Sequence, residues 1–443
     1  MGQPMIVMKF GGSSVSDADR IRGVCEIVKR YAKEQPVVVC SAIRGITDDL
    51  IKLAHEAVTG TTALLERIQE RHLQVIDALG LDRGLIKDNL AELGVLIRGI
   101  SLVKELTPRT LDYVASFGER LSCRIIAAHF TKAGLPAEEH DAFDIGMTTD
   151  EKFGSANPLP EAEADLRRHL TKMTKVPVVT GYIGKTKNGD ITTLGRNGSD
   201  YTATILGAAV TAKEVQIWTD VDGIMTADPN IVKGAKTIDT LSFAEASELA
   251  YYGGKLAHPF TILPAIRKNI PVRVLNTFRP DHPGTMILAQ SGGDKKGVKS
   301  IAYKKHQIII NLESSQMLMG FGFLSRIFDT FAKHEIVINM VSTSEVSVSV
   351  TTDSPKNLDK AIGDLSKEFE VTVEKDKTIL CVVGDGIKYT SGIAGDIFSA
   401  LRDAAVNILV ISQGASKINL AFVINHEDVP NAIRALHQKF FGV

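Results

Sequence analysis

Met5-Ile6-Val7-Met8-Lys9-Phe10-Gly11-Gly12-Ser13-Ser14 is a short apolar run that ends in two glycines. Its apolar residues do not alternate with polar ones, so it reads as a strand buried on both faces, as in a parallel sheet covered by helices. A helix is expected to open near Ser16-Asp17. The theme recurs along the chain. Val37–Ser41 enters a turn around Gly45, and helical spacing follows at Leu50, Leu53 and Ala54. Val176–Thr180 and Glu214–Trp218 are further runs of the same kind. Leu64, Leu65, Ile68, Val75, Ile76 and Leu79 keep helical spacing and predict a helical insertion over about 60–106. Residues 1–290 therefore read as one large α/β unit with a largely parallel sheet between helices.

The remainder carries an internal repeat. A shift of 70 residues superposes Ile327 on Ile397, Phe328 on Phe398 and Phe331 on Leu401. It also takes Ile336, Ile338 and Met340 to Val406, Ile408 and Val410, and Ser342 to Ser412. Each copy reads strand, helix, strand, strand, helix, which is an α+β layer pair with helices on one face of an antiparallel sheet. The copies are expected over 305–375 and 376–443. The second ends without a final strand, so its sheet edge is expected to be completed near Phe369–Val373 or by the other copy.

Composition narrows the function classes. The 443 residues hold 51 Lys plus Arg against 52 Asp plus Glu, a formal net charge of −1. That balance argues against a polycationic nucleic-acid binder. No run approaches the ~20 apolar residues of a membrane span. The start lacks a basic leader and long apolar region, and the expected location is the cytoplasm. Cys25, Cys40, Cys123 and Cys381 are scattered, with no spacing that suggests a disulfide framework or a zinc site.

Several motifs can carry chemistry. In Lys9–Ser14 a strand ending in two glycines before a helix exposes backbone N–H groups, and helix N-termini attract anions. The spacing is not that of a Walker P-loop. Thr193–Thr202 packs Arg196, Ser199 and Asp200 onto a glycine-rich bend at the start of a helix running to about Ala212. An Arg there can grip a carboxylate or phosphate bidentately. Ser199 and Asp200 could equally cap the helix, although a charged triplet exceeds what capping needs. Trp218–Pro229 is a strand end running into an acidic loop, and Gly253–Pro259 sets Lys255 beside two glycines. Ser116–Ser122 presents Glu119 in the first turn of an apolar helix. Gly320–Ser325 resembles a dinucleotide-binding glycine loop, but Ser325 stands at the third glycine position and a repeat unit is the wrong setting.

Together these segments resemble the aspartokinase branch of the amino-acid kinase family. The matching motifs are KFGGSS (Lys9–Ser14), SAIRGITDDL (Ser41–Leu50), GERLS (Gly118–Ser122), TTLGRNGSDYTA (Thr192–Ala203), TDVDGIMTADP (Thr219–Pro229) and GGKLAHP (Gly253–Pro259). Ile411–Ile424 looks like the second of the paired ACT domains that end such chains. The resemblance implies an amino-acid-kinase fold followed by two ferredoxin-like ACT domains, either separate or with the second intertwined with the first. It implies transfer of the ATP γ-phosphoryl group to the β-carboxylate of L-aspartate, giving 4-phospho-L-aspartate and ADP. By similarity Arg196 holds a substrate carboxylate, Glu119 the ammonium, and Ser41, Thr47 and Ser199 supply hydrogen bonds. Lys9 and Asp200 are the catalytic pair, with Asp200 orienting the lysine. Lys9, Gly11, Gly12, Ser13, Thr219, Asp220, Met225 and Lys255 are the implied ATP contacts, with Mg2+ accompanying the nucleotide, no dedicated metal site and no tightly bound cofactor. Met225 stands where the family usually has Tyr, and Asn230 where Arg is frequent.

The same resemblance implies feedback by lysine or threonine at an ACT interface within a homodimer, with a tetramer as the alternative assembly. The implied effector residues are Met317, Gly320, Phe323, Leu324, Val337, Ile338, Asn339, Ser344 and Glu345. Two other readings are a kinase acting on a glutamate derivative and a catalytically silent amino-acid sensor. The chain's length argues against a fused homoserine dehydrogenase.

Overall fold

The structure is a computed structural model describing residues 5–253, 259–290, 297–317, 320–413 and 418–442. It divides into two compact units, and they do not follow chain order. The first comprises residues up to Ile224 with Asp239–Phe243 and Ala257–Ser291, and the second holds Met225–Ile238, Ala244–Leu256 and the rest. The span 1–290, expected as one unit, thus sends two segments to the other body. Ala227 and Val232 explain the first segment, because they are buried in the apolar cluster of the C-terminal repeat.

The first unit is built on an eight-stranded sheet. Its order is Ala137–His140, Val176–Thr180, Pro36–Cys40, Ile6–Phe10, Glu214–Thr219, Val272–Asn276, Thr285–Leu288, Thr240–Ser242. All neighbours pair in parallel except Val272–Asn276 with Thr285–Leu288. The opening strand Ile6–Phe10 is central and buried along its whole length, as its unbroken apolar run requires. Helix Ala18–Arg30 begins where Asp17 caps it, accepting the N–H of Arg20 at 3.0 Å. Helices Ala63–Leu79 and Lys87–Val103 fill the predicted insertion. A small sheet of Thr148–Thr149, Ile183–Thr186 and Ile191–Thr193 adjoins the glycine-rich bend.

Helix Pro108–Lys132 is 25 residues long, and Glu119 sits in its middle rather than in a first turn. Thr107 caps the helix and Pro108 occupies its first position, where a missing N–H is harmless. Gly118 serves close packing. A Cβ there would lie 2.7 Å from that of Ala42.

The repeat forms one six-stranded antiparallel sheet, ordered Met340–Thr343, Ser347–Thr352, Ser300–Glu313, Glu370–Val383, Asn419–Asn425, Val410–Ser412. Two 14-residue strands are shared. Ser300–Glu313 closes the C-terminal lobe with its first half and opens the N-terminal lobe with its second. Glu370–Val383 does the converse. The strand near Phe369–Val373 therefore closes the first copy, while Ser300–Lys304 closes the second. The register slips between Lys304 and Ile309, and His306 and Asp376, 70 residues apart, both adopt left-handed backbone at φ 58° and 55°. Each lobe has its own apolar core, around Ile327, Phe331 and Val350 in one and Ile397, Leu401 and Phe422 in the other.

Candidate active site

The carboxyl ends of the parallel strands open onto a cleft of about 700 Å³. Ligands of open α/β sheets bind at such ends. Its lining includes Lys9, Gly12, Ser13, Ser41, Thr47, Glu119, Arg196, Ser199, Asp200 and Asp220. Five separate sequence motifs thus converge on one cavity.

Lys9 projects from the end of the central strand, and its ammonium lies 2.6 Å from the carboxylate of Asp200. Both side chains are about nine-tenths buried. Asp200 stands in the first turn of helix Gly198–Val210, where Asn197 turns the chain at φ 55°. The N–H of Gly11 is spent on the carbonyl of Trp218 at 3.3 Å, so it is less available to an anion than expected. Gly12 and Ser13 face the cleft. A Cβ on Gly12 would meet the carbonyl oxygen of Ala42 at 2.9 Å, which is why glycine stands there.

Glu119 is 3% exposed, and its Oε2 has no hydrogen-bond partner among the described residues. Burial pushes its carboxyl up to about 8, while nearby backbone N–H groups and the Lys9 ammonium pull the other way. A buried carboxyl facing a cleft is suited to receive a cationic ligand group. One helical turn on, the Ser122 hydroxyl donates to the carbonyl of Ser41 at 2.9 Å and holds that loop against the helix.

Thr219 ends its strand beside Asp220. Met225 belongs to the second compact unit, where it bridges Thr237 and its carbonyl accepts the Ser300 hydroxyl at 2.8 Å. Lys255 lies outside the described residues. Sequence reading missed Tyr182, Gly154 and Asn197, which also line the cleft. Tyr182 follows the apolar run Val176–Thr180, so its place at a strand's carboxyl end was the available signal. Its backbone is left-handed at φ 69°, and burial raises its hydroxyl to about 12.

In the N-terminal lobe, Gly322 caps helix Phe323–Lys333 at φ 80°. Met317, Phe323 and Ile338 are partly buried against the lobe's core, while Gly320, Leu324, Val337, Ser344 and Glu345 are exposed. Asn339 is a hub. Its Nδ2 donates to Gln307 at 2.9 Å and Asp353 at 3.1 Å, and its Oδ1 accepts from Lys304 at 2.9 Å and Tyr251 at 3.2 Å. Among the described residues no group of three or more metal-binding side chains occurs, and no helix is long and apolar enough to cross a membrane.

Residues 4–276 match the amino acid kinase family, and residues 310–369 and 380–440 match the ACT domain. The chain is 40% identical to aspartokinase 2, chloroplastic, of Arabidopsis thaliana, over 98% of this chain and 84% of that protein. The chain belongs to the aspartokinases. It is therefore an ATP-dependent kinase acting on the carboxyl group of aspartate. Lysine-sensitive aspartokinase 3 of Escherichia coli is 34% identical over 99% of both chains. The crystal structure of E. coli aspartokinase III with aspartate and ADP, called R-state, matches with a TM-score of 0.85 at 32% identity, over 99% of this chain and all of that one. The same enzyme with lysine and aspartate, called T-state, matches at 0.81 with 32% identity, over 99% of each chain.

Proposed function

We propose that this aspartokinase makes 4-phospho-L-aspartate and ADP in the cleft around Lys9, as the first step toward the aspartate-family amino acids, and is inhibited by lysine. The observation that carries the reading is the buried 2.6 Å Lys9–Asp200 pair at the mouth of the central strand, with Arg196 and Glu119 lining the same cleft. Aspartate offers two carboxylates and an ammonium, so its site needs a cation, an anion and polar donors. Arg196 is the cation for the substrate carboxylate and Glu119 the partner of the ammonium. Ser41, Thr47 and Ser199 add hydrogen bonds. The nucleophilic carboxylate has an ordinary pKa of ~3.9 and is ionised at neutral pH, so no general base is needed. What remains is to align it and to neutralise the charge spread over the phosphoryl oxygens. Lys9, oriented by Asp200, does this beside the amides of the Gly12-Ser13 turn.

Asp220 lines the cleft and Thr219 ends the strand just before it, and these two are assigned to the nucleotide. Mg2+ prefers oxygen donors and usually takes one or two carboxylates together with substrate phosphates. Asp220 on the cleft wall, not committed to Lys9 as Asp200 is, fits that demand. Bound with the nucleotide, the ion supplies neutralisation of phosphate charge.

The E. coli relative solved with lysine supports lysine as effector, with threonine the alternative. The N-terminal lobe exposes Phe321, Leu324, Phe328, Val337 and Val346, an apolar surface suited to a homodimer contact. Such a dimer would act on soluble metabolites in the cytoplasm. The test is ADP release with aspartate and trapping of the acyl phosphate by hydroxylamine, with and without millimolar lysine. Aspartate-dependent hydroxamate that is abolished in Lys9→Ala is expected. An inactive wild type, or activity retained in the variant, overturns the reading.

A further inference from the structure

Asp112 lies on helix Pro108–Lys132, seven residues before Glu119, which is two turns and about 10 Å along the same face. It is 3% exposed and accepts three hydrogen bonds. Its Oδ2 takes the backbone N–H groups of Gly154 and Thr193, each at 2.8 Å, and its Oδ1 takes the Thr193 hydroxyl at 2.8 Å. Both partners lead directly to Arg196. Thr193 precedes it by three residues. Gly154 presses its carbonyl against Gly195, where a Cβ would sit 3.2 Å from that oxygen. From the other side, the Leu194 N–H donates to the Tyr182 carbonyl at 2.8 Å. The helix that carries Glu119 therefore also grips the root of the loop that carries Arg196.

We propose that Asp112 is a positioning residue that fixes the separation of Arg196 and Glu119, and with it the length of amino dicarboxylic acid the cleft selects. This rests on the reading of those two side chains as partners of the substrate's carboxylate and ammonium. A cation and an anion carried on different elements hold a set spacing only if those elements are tied together. A loosened loop accepts aspartate and its longer homologue glutamate with less discrimination, while the ATP side, anchored at Lys9 and Gly12, is unaffected.

The test uses the full chain and steady-state kinetics with both substrates varied. Asp112→Ala is expected to raise KM for aspartate at least tenfold, to leave KM for ATP within twofold, and to lower the preference for aspartate over L-glutamate at least tenfold. Asp112→Asn can accept both N–H groups on its oxygen and donate to the Thr193 hydroxyl, so it is expected to restore near wild-type values. If Asp112→Ala does not fold, Thr193→Val removes the hydroxyl bond to Asp112, and with it the hydroxyl's contact with Tyr182, while sparing both backbone bonds, and is expected to raise KM for aspartate about threefold with ATP unchanged. Wild-type selectivity in the folded Asp112→Ala or in Thr193→Val, equal loss in Asp112→Asn and Asp112→Ala, or a parallel rise in both KM values overturns the proposal. Arg196→Ala and Glu119→Gln run alongside separate the two levels. If they lose aspartate affinity while Asp112→Ala does not, only the positioning role is rejected. If they keep it, the reading of the site fails and the proposal falls with it.

Discussion

With Glu119 as the proposed partner of the substrate ammonium, the binding of aspartate is expected to depend on pH. Burial raises its carboxyl to about 8 in the free protein. The form that meets an ammonium is the ionised one, so the productive fraction of free enzyme is roughly 3% at pH 6.5 and about 75% at pH 8.5. The ratio predicts that kcat/KM for aspartate rises about 25-fold across that interval, because this parameter reports ionisations of the free enzyme. A carboxyl at its ordinary value of 4.5 would give a flat profile. Glu119→Gln is expected to abolish the pH dependence and to lower kcat/KM for aspartate roughly 30-fold at pH 8.5, for the loss of about 2 kcal/mol in a charge-assisted bond. Stability moves the opposite way. A folded-state pKa above the unfolded one means the folded protein binds more protons between the two values. Stability is then fully present below about 4.5 and is lost as pH rises toward 8, by up to about 1.4 kcal/mol per unit. The ligand-free Glu119→Gln protein should therefore melt above the wild type at pH 8.5. Initial rates with aspartate varied at saturating ATP, from pH 6.5 to 8.5, decide the matter. A wild-type profile that is flat, or one that persists in Glu119→Gln, refutes the reasoning.

Gly12→Ala would place a methyl 2.9 Å from the Ala42 carbonyl and 3.3 Å from the Cα of Arg44, both backbone atoms. It is expected to lower kcat/KM for ATP more than tenfold without unfolding the chain, as read by coupled ADP release beside a thermal melt. Lys299→Ala strips one ionic partner, 3.1 Å away, from Glu245, whose side chain is fully buried. Breaking such a pair is expected to destabilise the protein by about 3–5 kcal/mol in denaturant unfolding. Asn339→Ala removes the hub joined to Gln307, Asp353, Lys304 and Tyr251. The lysine concentration for half-inhibition is expected to rise at least tenfold in rate assays, and unchanged inhibition would mean that the effector does not act through this hub.

The site was legible in the sequence where its signals are local. Lys9–Ser14 and Thr192–Ala203 each compress charge and glycine into a few residues, and a turn of that kind has little use except to bring backbone and charge to a ligand. Glu119 was found but placed in a first turn rather than mid-helix, and Gly118 beside it gave no sign of its own role. The glycine exists for contact with Ala42, a tertiary demand that leaves the same letter in the sequence as a local one. The Thr107-Pro108 pair, a standard opening, was the better signal. Asp112 and Tyr182 left no motif at all. Their importance comes from partners 42 to 81 residues away for Asp112 and from a strand end for Tyr182. The effector region shows the same limit. Asn339 was expected to be an effector residue, and its side-chain oxygen already accepts from the ammonium of Lys304 of the same chain.

The repeat shows why even a clear sequence pattern understates a fold. A 70-residue shift aligns side chains, and from it the two copies look like consecutive beads. Backbone pairing is blind to that order. The strand that closes the second copy, Ser300–Lys304, lies upstream of the first, and the strand that closes the first opens the second. The symmetry survives in the left-handed turns at His306 and Asp376, where each long strand passes from one lobe to the other. Non-Gly residues rarely hold this backbone without a structural demand, and here the demand is the same in both copies. A cut at 375/376 would therefore leave the C-terminal lobe without one of its edge strands. It would part Ile379–Val383 from Ser300–Lys304, while Ile309–Glu313 would keep its pairing with Glu370–Glu374. The two lobes are two cores on one sheet, and the unit that can respond to a ligand is the pair.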